Sequence, residues 1–155
     1  MRPVIMSAVL GAAMLQGQTV KQGRVTDVSG RQVTVTSSDE EETSVLLACV
    51  QDVSPEAADW MEKYVKGKVV QLAYMNSALA LLTIGVTNSD VSLELVKRGL
   101  ARPSVNNCRK KDSFRYIRAE YEYKLGKANT TIEKMAIANA MSELDELERQ
   151  FNKRK

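Results

Sequence analysis

Val45-Leu46-Leu47-Ala48-Cys49-Val50 opens the stretch that decides the fold, which runs on to Ala101. The six residues are short, almost wholly apolar and rich in β-branched or long aliphatic side chains. They read as a central strand covered on both faces. Ser54-Pro55-Glu56 follows: an N-cap residue, a proline suited to the first helical turn and an acid at the positive end of the helix dipole. Ala57, Trp60, Met61, Tyr64 and Val65 then recur at helical spacing and are expected to face a core, with Gly67 ending the helix. Lys68–Met75 and Ala78–Val86 read as two strands joined at Asn76-Ser77. After the polar turn 87–90, Asp90 is placed to cap a helix over Val91–Arg98 that Gly99 closes.

Outward from this stretch, Thr19–Val28 and Arg31–Thr36 form a hairpin pattern around Ser29-Gly30, with Val20, Val25, Val33 and Val35 as its β-branched positions. The acidic run within Ser37–Thr43 reads as a solvated loop. Beyond the loop Pro103–Asn107, a helix is expected to start at Asp112 or Ser113 and end at Gly126. Phe114, Ile117, Tyr121 and Leu125 make its apolar face. Thr130-Thr131-Ile132-Glu133 is a capping box that opens a long helix to about Asn152.

Composition narrows the chemistry. At 155 residues the chain has room for one core and an appendage, and 44% hydrophobic with 26% charged residues is the balance of a globular protein. Twenty-two basic and 19 acidic residues leave a net charge of +3, which permits nucleic-acid contact without requiring it. The chain has no histidine. That removes Ser/His/Asp and Cys/His catalysis and the common zinc sites. Cys49 lies in an apolar run and Cys108 in a polar loop; two free thiols in a reducing compartment is the expectation, with a structural disulfide as the alternative.

Pro3–Leu15 is apolar behind a single arginine, and no acid occurs before Asp27. The run is too short to span a bilayer, which takes ~20 residues. Its composition fits a secretory h-region, an organellar presequence, a buried strand or a segment docked on a partner. The expected organisation is an apolar segment over 1–18, a domain over 19–127 and a helical extension over 128–155. No membrane span is expected. The arginine-bearing, acid-poor start points to a mitochondrial location, with a cytoplasmic one as the alternative.

The order of elements, hairpin, strand, helix, two strands, short helix, loop and helix, resembles the staphylococcal nuclease family. Asp90-Val91-Ser92-Leu93-Glu94-Leu95-Val96-Lys97-Arg98-Gly99-Leu100-Ala101 resembles that family's helix leading into Leu-Val-x-x-Gly-Leu-Ala. The passage from Trp60 to Val70 and the tyrosine-rich helix Phe114–Lys127 are also similar, so the likeness covers roughly residues 20–127. It implies an α+β fold: a five-stranded OB-like barrel with three helices, here followed by the long C-terminal helix.

The same resemblance implies where catalytic groups would stand. The family uses a calcium ion held by carboxylates, two arginines on the phosphate and a glutamate beside the attacking water. The first arginine falls at Val45, and the Asp-Thr-Pro-Glu motif falls near Val50-Gln51-Asp52-Val53, where only Asp52 is acidic. Pro55-Glu56 restores a Pro-Glu pair without the Asp-Thr. The hairpin aspartate falls near Ser29 or Gly30, with Asp27 nearby, and the second arginine falls near Leu79. One electrostatic donor is worth ~10²–10³ in rate, and several are replaced together here. No catalytic residue, metal site or cofactor is therefore expected.

Two binding surfaces remain. Arg109, Lys110, Lys111, Arg115 and Arg118, with Tyr116 and Tyr121 among them, could hold single-stranded nucleic acid by phosphate contact and stacking. Alternatively, this is an ordinary helix with solvated charges. Ile137, Ala140, Leu144, Leu147 and Phe151 recur at spacings of three and four, a seam that either folds back on the chain's own barrel or docks on another subunit. The expected function is a non-catalytic structural or interaction subunit of a larger assembly, such as an RNA-containing mitochondrial one. Its protein partners would be held through the C-terminal helix and the apolar N-terminal segment. A stand-alone RNA-binding module is the alternative, and a calcium-dependent nuclease a further one.

Overall fold

A computed structural model describes residues 20–154, and the expectations for the segment 1–18 lie outside the described residues. The chain opens with the expected hairpin. Strands β1 (Val20–Ser29) and β2 (Gln32–Thr36) turn through Gly30-Arg31, with Gly30 at φ +57° where a side chain would be strained. A bulge between Val25 and Asp27 bends β1. Its first half can then pair with β5 (Val69–Tyr74), and its second with β2. Gly23 sits where these strands crowd: a Cβ there would come within 2.5 Å of Val35 Cγ1.

Strand β3 (Glu42–Leu47) pairs antiparallel with β2, and β6 (Leu79–Ile84) pairs antiparallel with β5. A short parallel ladder, Leu46 to Leu79 and Leu47 to Ala80, joins β3 to β6 and closes the sheet. The circuit β1-β2-β3-β6-β5 is a five-stranded barrel of OB-like type. The inward positions Val25, Val33, Val35, Val45, Leu47, Val70, Leu72, Ala80 and Leu82 are all buried, and burial of each large aliphatic side chain contributes roughly 1.5–3 kcal/mol.

The strand expected over Val45–Val50 is corrected in two ways. It starts earlier, at Glu42, taking the end of the acidic loop into the sheet, and it alternates, with Val45 and Leu47 buried and Ser44 exposed. The sheet is covered on one face here, not on both. It also breaks at Ala48-Cys49, where Cys49 adopts φ +69°, and resumes as the two-residue strand β4 (Val50–Gln51).

Helix α1 (Pro55–Tyr64) caps one end of the barrel with Ala57, Met61 and, just beyond its end, Val65. Tyr64, expected in the core, is 47% exposed and stacks beside Trp60 instead. Ser54 occupies the N-cap position, but its side chain makes no capping hydrogen bond. The bridge β7 (Ser89–Asp90) leads into α2 (Val91–Lys97), where Asp90 Oδ1 accepts from the Leu93 amide at 3.1 Å as expected of an N-cap. Gly99 takes φ +71° beyond its C-terminus.

Strand β8 (Arg102–Pro103) pairs with β4, and the chain then enters α3 (Lys110–Lys127) and α4 (Thr131–Lys153), an antiparallel helical hairpin. Helix α3 begins two residues before the expected start and runs through Gly126, expected to end it, to Lys127. Its barrel-facing side also differs: Ser113, Tyr116 and Ala119 are buried, whereas Ile117, Tyr121 and Leu125 are only half-buried. Phe114 is buried against α4, 5.7 Å from the Phe151 ring. The four helices and the barrel among the described residues match the α+β expectation.

Cys49 and Cys108 are joined in a disulfide, not free as expected. The barrel closure carries Cys49 to the loop before α3, bringing Cα atoms 59 residues apart in sequence to 4.5 Å. Linking a loop of this size removes enough chain entropy to stabilise the fold by about 4 kcal/mol. Denaturant unfolding with and without reductant should therefore differ by roughly that amount, and the double variant Cys49→Ala/Cys108→Ala should unfold like the reduced protein. Equal midpoints in all three would show the bond to be mechanically idle.

Candidate functional site

The region where the nuclease resemblance would place chemistry lies at the end of the barrel around β4. Val45 is 2% exposed and points into the core opposite Val33, and Val50 is fully buried. Leu79 packs half-buried at the closing ladder beside Leu46. Asp52 follows β4 at φ +50°, with its carboxylate turned to solvent and Arg102 Nη1 4.0 Å away. Glu56 is exposed on the first turn of α1, and Asp27 is exposed on β1. These carboxylates do not converge: among the described residues no three His, Cys, Asp or Glu side chains are grouped to hold a metal ion.

Two arginines that the sequence reading passed over border this end of the barrel. Arg31, at the hairpin turn, donates through Nη1 to the Val50 carbonyl at 3.1 Å. Arg102, on β8, donates through Nε to Glu120 Oε2 at 3.2 Å while facing Asp52. Each guanidinium directs one hydrogen bond into the protein itself. No linear spacing could have flagged them, since Arg31 comes from a turn and Arg102 from a strand of two residues.

The basic stretch on α3 is likewise drawn into internal pairing. Arg109 Nε meets Asp112 Oδ2 at 3.1 Å, and Lys110 Nζ lies 5.9 Å from the centre of the Phe114 ring. Arg118 reaches across to α4, where Nη2 donates to Glu148 Oε1 at 2.5 Å and Asp145 Oδ1 at 2.9 Å. The Glu148 hydrogen bond comes first among the influences holding its guanidinium above the usual value. Lys111 is exposed. Four of the five cations lie on α3 with Arg109 at its N-cap, and Arg109, Arg115 and Arg118 are each held by a carboxylate.

Arg115 belongs to a tighter cluster. Its Nη2 donates to Asp90 Oδ2 at 2.7 Å and to Tyr116 Oη at 3.0 Å, and the Tyr116 hydroxyl donates to the same Asp90 oxygen. Asp90 thus caps α2 with one oxygen and anchors α3 with the other. Burial, and then the charge of Asp90, push the Tyr116 phenol far above its ordinary range.

The seam on α4 packs on α3. Leu144 is buried, with Ile137, Ala140 and Phe151 half-buried, while Leu147 is 57% exposed on the flank. The helix rotates 100° per residue, which turns Leu147 away from the line through Leu144 and Phe151. A shallow concavity of about 420 Å³ lies at the turn between α3 and α4, bordered by Tyr123, Lys127, Glu133 and Ile137. Another, of about 410 Å³, lies between β1 and β2 beside Arg24, Ser37 and Ser38.

Fold and site define a class, an OB-like five-stranded barrel with a clamped helical hairpin. No family model matches the chain, and no curated protein matches it in sequence.

The Asp90 cluster sets a pH dependence. The Tyr116 phenol is raised in the folded state, so below about pH 10 it is protonated both folded and unfolded and its interaction is fully present. Above that pH the unfolded chain releases a proton that the folded chain keeps, and stability falls. Tyr116→Phe should cost about 2 kcal/mol near neutral pH, the value of a buried hydrogen bond to a charged partner. It should also flatten the alkaline decline in a denaturation series taken through that pH. A decline of unchanged slope in Tyr116→Phe would assign it to other groups.

Proposed function

We propose that the chain is a catalytically inactive OB-like barrel, related to the staphylococcal nuclease family, that serves as a structural or interaction subunit of a larger assembly. The observation that carries this reading is the burial of Val45 and Val50. Val45 stands where the resemblance would place an arginine on the reacting phosphate, and Val50 at the start of the stretch where it would place the Asp-Thr-Pro-Glu motif; each is instead part of the hydrophobic core. A charged residue at either position would be deeply buried without a partner, at a cost of several kcal/mol. The core in this form and a phosphate clamp at these positions are mutually exclusive.

The alternative, a stand-alone RNA-binding module, is less well supported. Arg109, Arg115 and Arg118 each hold a carboxylate, so phosphate contact would have to compete with ion pairs already made. The outer face of β1, β2 and β3 carries small hydroxyl groups, with Thr34 and Ser44 3.0 Å apart and Thr26 and Thr36 3.1 Å apart. Stacking of bases needs aromatic faces, and this surface offers hydroxyls.

The test is to incubate the purified chain with calcium and single-stranded DNA or RNA, and in parallel to isolate it from native lysate at moderate salt. The expected outcome is intact nucleic acid, with protein partners that remain bound after nuclease treatment. Calcium-dependent cleavage abolished by Asp52→Ala would overturn the reading. Salt-sensitive RNA affinity that falls when Arg109, Lys110 and Lys111 become Ala would replace it with the RNA-binding one.

A further inference from the structure

We propose that Asn129 is an N-glycosylation site and that the chain matures along the secretory route. Of its seven asparagines, only Asn129 begins an Asn-x-Thr triplet, Asn129-Thr130-Thr131, with no proline between. The triplet alone occurs often by chance. Three features of the fold give it weight.

The first is position. Asn129 is exposed in the connection between α3 and α4, with Ala128 as the C-cap of one helix and Thr130 as the N-cap of the other. The capping role falls to the middle residue of the triplet: Thr130 Oγ1 accepts from the Glu133 amide at 3.1 Å and donates to Glu133 Oε1 at 3.0 Å. Thr131, whose hydroxyl the glycosylating enzyme must recognise, is exposed on the first turn of α4 and is not the cap.

The second is the disulfide. Cys49–Cys108 forms and persists in an oxidising compartment, and the route that supplies one also supplies the glycan donor. The acid-free apolar run Pro3–Leu15 has the composition of a secretory h-region, one of the readings its sequence allows. This replaces the mitochondrial location expected from the same residues.

The third is the surface beside Asn129. The concavity of about 420 Å³ adjoins it, and its border carries Lys127 and Glu133, whose charged ends can bond the hydroxyls of a sugar, while the Tyr123 ring lies beneath Lys127, 5.7 Å from its Nζ. Just beyond, Ile132 is 81% exposed and Met135 60% exposed. A glycan anchored three residues before Ile132 would screen both from solvent.

The donor is an oligosaccharide carried on a lipid pyrophosphate. A bond forms between the sugar's anomeric carbon and Asn129 Nδ2, and the bond from that carbon to the pyrophosphate oxygen breaks. The lipid pyrophosphate leaves, and the amide proton passes to a base of the cell's transferase. Nothing is oxidised or reduced.

The test takes the full chain from its source cells, denatured without reductant in the presence of an alkylating agent, so that Cys49, buried in the fold, would react if it were free. The expected result is no alkylated cysteine and a single gel shift removed by a peptide-N-glycanase, with Asn129 converted to Asp in the peptide mass spectrum. Expressed in the same cells, Asn129→Gln and Thr131→Ala should lose the shift. Thr131→Ser should keep it, and Thr130→Ala should keep it while weakening the α4 cap. An unmodified Asn129, free thiols in the native chain, or a shift that survives Asn129→Gln would each overturn the proposal.

Discussion

The backbone of Ala48–Val50 is the junction on which the rest of the structure depends. Ala48 donates to the Ala80 carbonyl at 2.9 Å, which extends the barrel closure, and accepts from Ser92 Oγ at 2.7 Å, which ties down α2. Cys49 donates to Asn107 and accepts from Ser104, so the loop before α3 is strapped to it on both sides. Val50 accepts from Arg31 of the hairpin turn. Three consecutive residues thus satisfy polar groups from four other parts of the chain in a buried setting, where an unmet group would cost about 1–3 kcal/mol. The positive φ of Cys49 is held in place by this over-determination, and the disulfide adds a covalent strap at the same point.

That junction explains which parts of the fold were legible in the sequence. The hairpin, the β5–β6 pair, the Asp90 and Thr130 caps and the glycines that follow α1 and α2 are local patterns, and each stands where its residues put it. The break at Ala48-Cys49 was not legible, because an apolar run of six reads as continuous strand and the break is imposed by contacts from distant elements. The sequence could not decide between a disulfide and free thiols for the same reason: a separation of 59 residues says nothing of a 4.5 Å approach. Helix α3 misled differently. Its most regular apolar row faces α4, while the barrel-facing side mixes Tyr116 and Ala119 with Ser113. It meets the core through a bonded tyrosine and close packing, as where the ring of Tyr123 occupies the space a Cβ on Gly99 would need.

The basic stretch of α3 shows how a fold redistributes charge. Arg109, Lys110, Lys111, Arg115 and Arg118 look like a patch along the sequence, yet Asp90 lies 25 residues from Arg115, and Asp145 and Glu148 lie 27 and 30 from Arg118. Partners that distant cannot be counted from a linear run. The same pairing gives these arginines a structural purpose. Arg118 is the polar fastening of a helix that, among the described residues, buries only Leu144 completely. With so little apolar area to hold α4, cross-helix ion pairs and the Phe114–Phe151 contact carry a large share of its docking.

The distribution of rigidity along the hairpin follows from this. Its base is fixed by the disulfide, the Asp90 cluster and the aromatic pair. Its tip at Ala128–Thr130 is fixed by the helix caps and by the half-buried Ile137 and Leu125 of the flanking turns. The centre of the barrel is sealed by valines, and Arg31, Arg115 and Arg118 act as internal fastenings. What it offers outward is shape: a clamped barrel and a projecting arm. Exposed apolar side chains lie at two separate places on that arm, Ile132 and Met135 near the tip and Leu147 nearer the base. At 1.5 Å per residue the two places are about 20 Å apart. A bulky group near the tip and a protein neighbour near the base could therefore occupy the same helix without excluding each other, and the arm can be both shielded and used.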